Sequence, residues 1–447
     1  MEIRDVMLTL FLLLAAGVVS QVVAGYLRVP RMLVLLAAGA LLGPSVLGAI
    51  EVPLDSVGAQ LLLTLGVSVI LFHGGLQLSV RVLDRVAVGL GMLVVPGVLV
   101  TAVITGLVAA AVFDLPFSSG LLMGAALSPT DPAILIPLFE RIRVRAKISQ
   151  TVIAESALND VTGAVVALAI AGVVLTGGVS FTETLEEFLV DLGISTALGI
   201  AFGIVLCIAV STRRFGLSRD SAAIVAMAVV AGAYFSIDFA GGSGYLGAFL
   251  AGLILANNDR LRLTMHRHHE QEMRSFIAVV TDVMVMLVFL TVGANLPWSE
   301  MASHFGPALA VVATLILLAR PLTVLACLLP DRRGRWSREE YVFLAWTRET
   351  GVMPAALVGI IVGLGVPHAD LVVTTVALAI LTTLAVQSTT KSSLARRLHL
   401  VDAPTVPPTV SSAHERPATA GFALSTAGPG SGDSPRPGRS RQFGSST

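Results

Sequence analysis

The feature that most limits what this chain can fold into is a recurring apolar run of about 20 residues, long enough for a helix to cross about 30 Å of hydrocarbon. These runs fall near 6–26, 31–49, 58–79, 87–113, 118–139, 148–175, 188–211, 220–238, 243–257, 275–296, 305–330, 339–364 and 368–390, thirteen in all. Only 13% of the residues are charged and 55% are hydrophobic, against roughly 25% and 45–50% in soluble domains. The predicted class is an all-α polytopic membrane protein with about thirteen transmembrane helices.

The connecting loops carry a second periodicity. Lys and Arg collect after the odd-numbered spans, from Arg28 and Arg31 to Lys391, Arg396 and Arg397, while the opposite loops hold acidic residues such as Glu51, Asp55, Glu183, Glu186 and Glu187. Basic loops face the cytoplasm, so the N-terminus is expected outside and the C-terminus inside. The opening Met-Glu-Ile-Arg-Asp runs straight into apolar sequence with no small-residue cleavage site, and it reads as a retained first span. Residues 1–400 form the expected membrane domain. From 401 to 447 the chain is rich in Pro, Ser, Gly, Thr and Ala, a composition expected to stay disordered on the cytoplasmic side.

Several function classes fall away. The net charge is zero and no basic block stands out, so nucleic acid is not an expected partner. The two cysteines, Cys207 and Cys327, sit in apolar runs as small core residues. There is no P-loop, no nucleophile-base pair, and no GxGxxG or strand-helix alternation in the tail, which leaves no expected cofactor and no enzymatic chemistry.

Ionisable groups at membrane depth are costly and point to function. Span 5 contains Ser128-Pro129-Thr130-Asp131-Pro132, and its prolines must break or unwind the helix. The freed carbonyls, with Thr130 and Asp131, form hard oxygen ligands for a small ion; a kink capped by Asp131 is compatible with the same residues. Span 6 carries Glu155-Ser156-Ala157-Leu158-Asn159-Asp160. Ser156 and Asp160 share one helical stripe with Asn159 beside it, a pattern that suits a cation site. A proton or a cation can neutralise Asp160, and competition for one carboxylate is antiport.

Glu155 points elsewhere and needs a partner. Arg320, before Pro321 in span 11, lies at a matching depth and is the expected one, as a structural ion pair. In span 12, Arg348-Glu349-Thr350-Gly351-Val352-Met353-Pro354 marks a second broken helix. Spans 5 and 12 cross in opposite directions, which is the pattern of an inverted repeat relating spans 1–6 to 8–13 with span 7 as linker. Opposed half-helix dipoles then call for Asp131 and Arg348 as compensating charges; Glu349 could equally pair with Arg348.

On these residues the chain resembles the monovalent cation/proton antiporter superfamily, in its NhaP-like and sodium/proton-exchanger branch. The resemblance rests on Thr130-Asp131-Pro132, Glu155-Ser156 with Asn159-Asp160, Ala319-Arg320-Pro321 and Leu71-Phe72-His73-Gly74-Gly75-Leu76, and covers about residues 6–390. It implies a thirteen-helix homodimer in a bacterial-type inner membrane, serving pH homeostasis. Core helices 87–175 and 305–390 would move in an elevator-like cycle against dimerisation helices 6–79 and 220–296. It further implies Asp160 as the exchange carboxylate, with Thr130, Asp131, Ser156 and Asn159 around the ion. Asn159 before the aspartate implies electroneutral exchange of Na⁺ (or Li⁺ or K⁺) for H⁺.

The sequence departs from the family where His73 replaces a common acidic residue and where Glu349-Thr350 follows Arg348. A K⁺-selective antiporter, a cation or pH sensor on the same fold, and a channel are the rival readings. Asp282 is placed at a cytoplasmic funnel or a helix end, and His266, His268 and His269 in a basic loop.

Overall fold

The computed structural model describes residues 3–27, 29–54, 56–176, 181–211 and 221–401. The first half of the described chain runs through α1 (Ile3–Leu27), α2 (Arg31–Leu42), α3 (Val57–Leu76), α4 (Val80–Val94), α5 (Pro96–Phe113), α6 (Phe117–Ala126), α7 (Pro132–Ile142) and α8 (Ala146–Thr176). Then come α9 (Phe181–Val210), α10 (Ala222–Phe239), α11 (Gly244–Ala256), α12 (Arg267–Ala294) and the short α13 (Trp298–Ser303). The last third holds α14 (Phe305–Thr314), α15 (Arg320–Leu328), α16 (Arg338–Trp346), α17 (Val352–Gly363), α18 (Ala369–Thr382) and α19 (Thr389–Arg397). Two π-helical segments, Leu315–Ala319 and Thr383–Ser388, join α14 to α15 and α18 to α19.

Among the described residues, nine stretches are helical, long and apolar enough to cross a membrane, and four shorter apolar helices accompany them. The chain is thus a multi-pass, all-helical membrane protein. Each predicted span has a helical counterpart, including the short 243–257 segment, seen as α11. Boundaries differ where polar residues extend a helix beyond its apolar run. Span 2 ends early, at Leu42, because Gly43-Pro44 follows and the next turn folds back through Ala49 N–H to the Leu42 carbonyl (2.9 Å). The apolar count alone missed that turn.

Helices α4, α8, α9, α12 and α19 each take in charged residues assigned to loops. Glu183, Glu186 and Glu187 lie on α9, and His268 and His269 on α12 with His266 at its N-cap. Continuous backbone hydrogen bonding carries these helices past the ends of their apolar runs. The loop arginines Arg213, Arg214 and Arg219 and the tail from 402 onward lie outside the described residues.

Packing follows the inverted repeat. Helix α2 packs on α12 as α11 packs on α3, and these pairs exchange under the relation of span i to span i+7. In both crossings the backbones meet at glycine. A Cβ on Gly39 would strike the Leu290 carbonyl and one on Gly252 the Phe72 carbonyl. Small residues let helix backbones approach this closely in a bilayer. Both crossings end on an asparagine: Asn295 Nδ2 donates to Val52 O (2.9 Å) and Asn257 Nδ2 to Leu78 O (3.0 Å). Phe11, Val22 and Tyr26 of α1 and Phe235 and Phe239 of α10 face outward, the polarity reversal expected where lipid is the solvent.

Candidate functional site: two crossing broken helices and an open carboxylate

Helix α6 stops at Ala126 and α7 starts at Pro132; between them residues 127–131 are non-helical. Pro132 occupies the first turn of α7, where its missing N–H costs nothing. The second break has the same design. Helix α16 stops at Trp346, residues 347–351 are non-helical, and Pro354 lies in the first turn of α17.

The two unwound stretches are stapled backbone to backbone, Asp131 N–H donating to the Glu349 carbonyl (3.0 Å). The Arg348 guanidinium donates through Nη2 to the carbonyls of Leu127 (3.0 Å) and Ser128 at the end of α6. Asp131 immediately precedes α7, and its carboxylate rests on Gly351 immediately before α17, so closely that a Cβ there would collide with it. Anions favour helix N-termini and cations C-termini, and each charge here stands at the matching end. Arg320 serves α16 likewise, Nε donating to the Leu344 carbonyl (3.0 Å).

Helix α8 lies alongside, packed on α6, α7 and α17. Ser156 and Asn159, one turn apart, converge on Thr130. The Thr130 and Ser156 hydroxyls are 2.7 Å apart, Asn159 Nδ2 donates to Thr130 Oγ1 (2.9 Å), and Thr130 N–H donates to Asn159 Oδ1 (3.2 Å). These three side chains satisfy one another. Asp160, the next residue, is 1% exposed and neither carboxylate oxygen has a hydrogen-bond partner. Asp131 lies within Coulombic reach of it, as does Tyr245 of α11. A buried carboxylate without donors is costly unless something neutralises it, and no hydrogen bond does so for Asp160.

Two buried ion pairs flank this group. Glu155, on the other side of α8, takes the Arg320 guanidinium in a two-pronged contact through Nη1 and Nη2, the latter at 3.0 Å. On the far side of the crossing, Glu349 is paired with Lys391, and the Ser388 hydroxyl donates to the same Glu349 oxygen (3.3 Å).

A family model described as "Sodium/hydrogen exchanger, transmembrane" matches residues 9–397. The chain belongs to the sodium/hydrogen exchanger family. A K(+)/H(+) antiporter NhaP of Alkalimonas amylolytica is 28% identical over 398 residues, covering 88% of this chain and 67% of the relative. A K(+)/H(+) antiporter NhaP2 of Shewanella sp. (strain MR-4) is 31% identical over 397 residues, covering 86% and 65%. The chain thus spans about two thirds of the length of these curated relatives. Among solved structures, the sodium proton antiporter MjNhaP1 of Methanocaldococcus jannaschii superposes with a TM-score of 0.73 at 25% identity, covering 90% of this chain and 98% of that one.

Within this exchanger-family chain, Thr130, Asp131, Ser156, Asn159, Asp160 and Arg348 are brought together at the crossing, and Glu155 meets Arg320 beside it. Glu349 faces Lys391 and not Arg348. Lys391, counted from sequence as a loop cation, is fully buried, because the π segment and α19 prolong the helix to Arg397. Asp282 lies on the exposed flank of α12 and pairs with Arg31 (3.1 Å). His268 and His269 reach Glu272 (3.3 and 3.4 Å) on the same helix. His73, in the last turn of α3, meets Gln77 just after that helix (3.0 Å).

Sequence reasoning missed Lys391, Ser388, Thr383 and Gln387. All four sit on or just after a π-helical turn, whose extra residue per turn rotates side chains off the regular stripe. The run Gln387-Ser388-Thr389-Thr390-Lys391 at the end of an apolar span was the available signal.

Proposed function

We propose that this chain is a secondary active antiporter, exchanging one monovalent cation (Na⁺ or K⁺, with Li⁺ as a surrogate) for one proton by competition at Asp160. The observation that carries this reading is the Asp160 carboxylate, buried and without a donor beside the crossing. Thr130, Asp131, Ser156 and Asn159 supply the surrounding oxygens, and Arg348 and Asp131 balance the half-helix ends. Glu155–Arg320 is a structural pair.

Charge supports the stoichiometry. At the crossing and beside it, the buried carboxylates are Asp131, Glu155, Asp160 and Glu349, and the buried cations are Arg320, Arg348 and Lys391. One positive charge is lacking, which either one proton or one monovalent cation supplies. Names of relatives support both ions, K⁺ for the NhaP and NhaP2 proteins and sodium for MjNhaP1.

Packing supports a cycle in which helices 87–175 and 305–390 move as a core against helices 6–79 and 220–296. Contacts are dense within each group and sparse between them, and α8 of the first group touches α3 and α11 of the second. The outward apolar faces of α1 and α10 suit lipid or a second copy in a homodimer. In the proposed orientation the basic loops, and with them the C-terminus, face the cytoplasm of a bacterial-type inner membrane.

The test is collapse of a pH gradient in proteoliposomes on adding Na⁺, K⁺ or Li⁺, with membrane potential clamped and Asp160→Asn alongside. Wild type dissipates the gradient with at least one cation and the variant with none. A gradient unmoved by all three cations across the pH range moves the sensor reading to the front.

A further inference from the structure

The two ion pairs beside the crossing are not alike. Both oxygens of Glu155 are taken by Arg320. Glu349 uses one oxygen, while its Oε2 has no partner, and neither have the Thr350 hydroxyl nor the Gln387 amide oxygen and nitrogen. All three residues are fully buried. They lie on two segments held against each other, the unwound 347–351 stretch and the π turn at 383–388, joined by Thr350 N–H to Thr383 Oγ1 (3.2 Å) and Ser388 to Glu349 (3.3 Å). Carboxylate, hydroxyl and amide oxygens are the hard ligands that alkali cations take. A cation stands beside them: the Lys391 ammonium on the other Glu349 oxygen, Oε1, with the Phe139 ring 5.8 Å away.

We propose that Glu349, Thr350 and Gln387 form a second monovalent-cation site, kept closed by Lys391, a tethered cation that neutralises Glu349 beside it. This deepens the antiporter reading and rests on it for the transport readout alone. With the charge of the second site neutralised from within the chain, a single charge remains to be supplied, and Asp160 is where it enters. Glu349 is also the residue whose carbonyl receives the Asp131 N–H, so the two sites share one backbone staple.

The test uses two substitutions of opposite electrostatic sign in the full chain, assayed for exchange at a pH alkaline enough that protons no longer compete. Glu349→Gln strands the ammonium, and the KM for the cation rises about tenfold; Lys391→Met opens the carboxylate, and KM falls about tenfold. The double variant returns close to wild type. In a structure of Lys391→Met with Tl⁺, density appears among Glu349, Thr350 and Gln387, where wild type has none.

Two single variants that move KM in the same direction, or a Lys391→Met structure without that density, overturn the proposal. If Lys391→Met does not fold, the rise in Glu349→Gln and its reversal in the double variant decide. If wild type exchanges no cation, the antiporter reading falls, and Tl⁺ occupancy in Lys391→Met decides this inference by itself.

Discussion

The two halves of the crossing are built alike and charged differently. In the first, the unwound 127–131 stretch lies against α8, where Thr130, Ser156 and Asn159 satisfy one another and Asp160 is left without a donor. In the second, the unwound 347–351 stretch lies against the helix of α18 and α19, where Glu349 is met by Lys391. A carboxylate stands at each place, and one of them is closed by a lysine. The difference teaches that like broken-helix frames do not fix the state of the carboxylate beside them: whether a cation of the chain reaches it decides whether it is paired or left without a partner.

The comparison breaks most completely at Asp160. Asp160→Asn is expected to reduce exchange to the protein-free baseline while the purified protein still elutes as a single species, because no hydrogen bond is lost with the charge. Next in size is Arg320→Met, which leaves Glu155 buried and uncompensated and the Leu344 carbonyl uncapped. Breaking one member of a buried pair costs about 3–5 kcal/mol, to be read as a fall in thermal stability that Glu155→Gln in the same chain partly reverses.

Smaller effects sharpen the picture. Gly351→Ala drives a methyl into Asp131; overpacking of this kind costs about 1–3 kcal/mol, and because it displaces the staple, turnover should fall more than stability. Ser156→Ala removes one neutral hydrogen bond to Thr130, worth about 1 kcal/mol, with a shift of a few-fold in cation KM. Arg31→Ala separates an exposed pair whose Asp282 side chain is 62% exposed, and pairs of this type contribute about 0–1 kcal/mol. Its melting temperature and exchange rate should match wild type.

Particular residues show how far the sequence could be read. Pro129, Pro132 and Pro354 withhold backbone donors, so two interrupted spans and their opposed crossing are visible before any fold is known, while the exact unwound stretches, 127–131 and 347–351, come from the structure. Asn159, Ser156 and Asp160 share a turn of helix by spacing alone, and the depths of Glu155 and Arg320 along their spans follow from counting residues. Lys391 was harder to reach, because its burial depends on a π turn that redirects the end of a helix, and the polar run Gln387–Lys391 is the local sign that sets it apart from the loop cations beyond it.

What the sequence by itself determined is the set of membrane spans, the places where two of them must unwind, and the short list of ionisable groups at depth. Those follow from short-range physics: hydrocarbon excludes unpaired backbone groups, and proline withholds a donor. What only the tertiary structure decided is which charge meets which. Arg348 caps α6 and leaves Glu349 to Lys391, and Thr130 engages both Ser156 and Asn159 so that Asp160 stands open. Pairing depends on distances between segments far apart in sequence, set by how closely the helices pack, and the electrostatic character of the site comes from that packing.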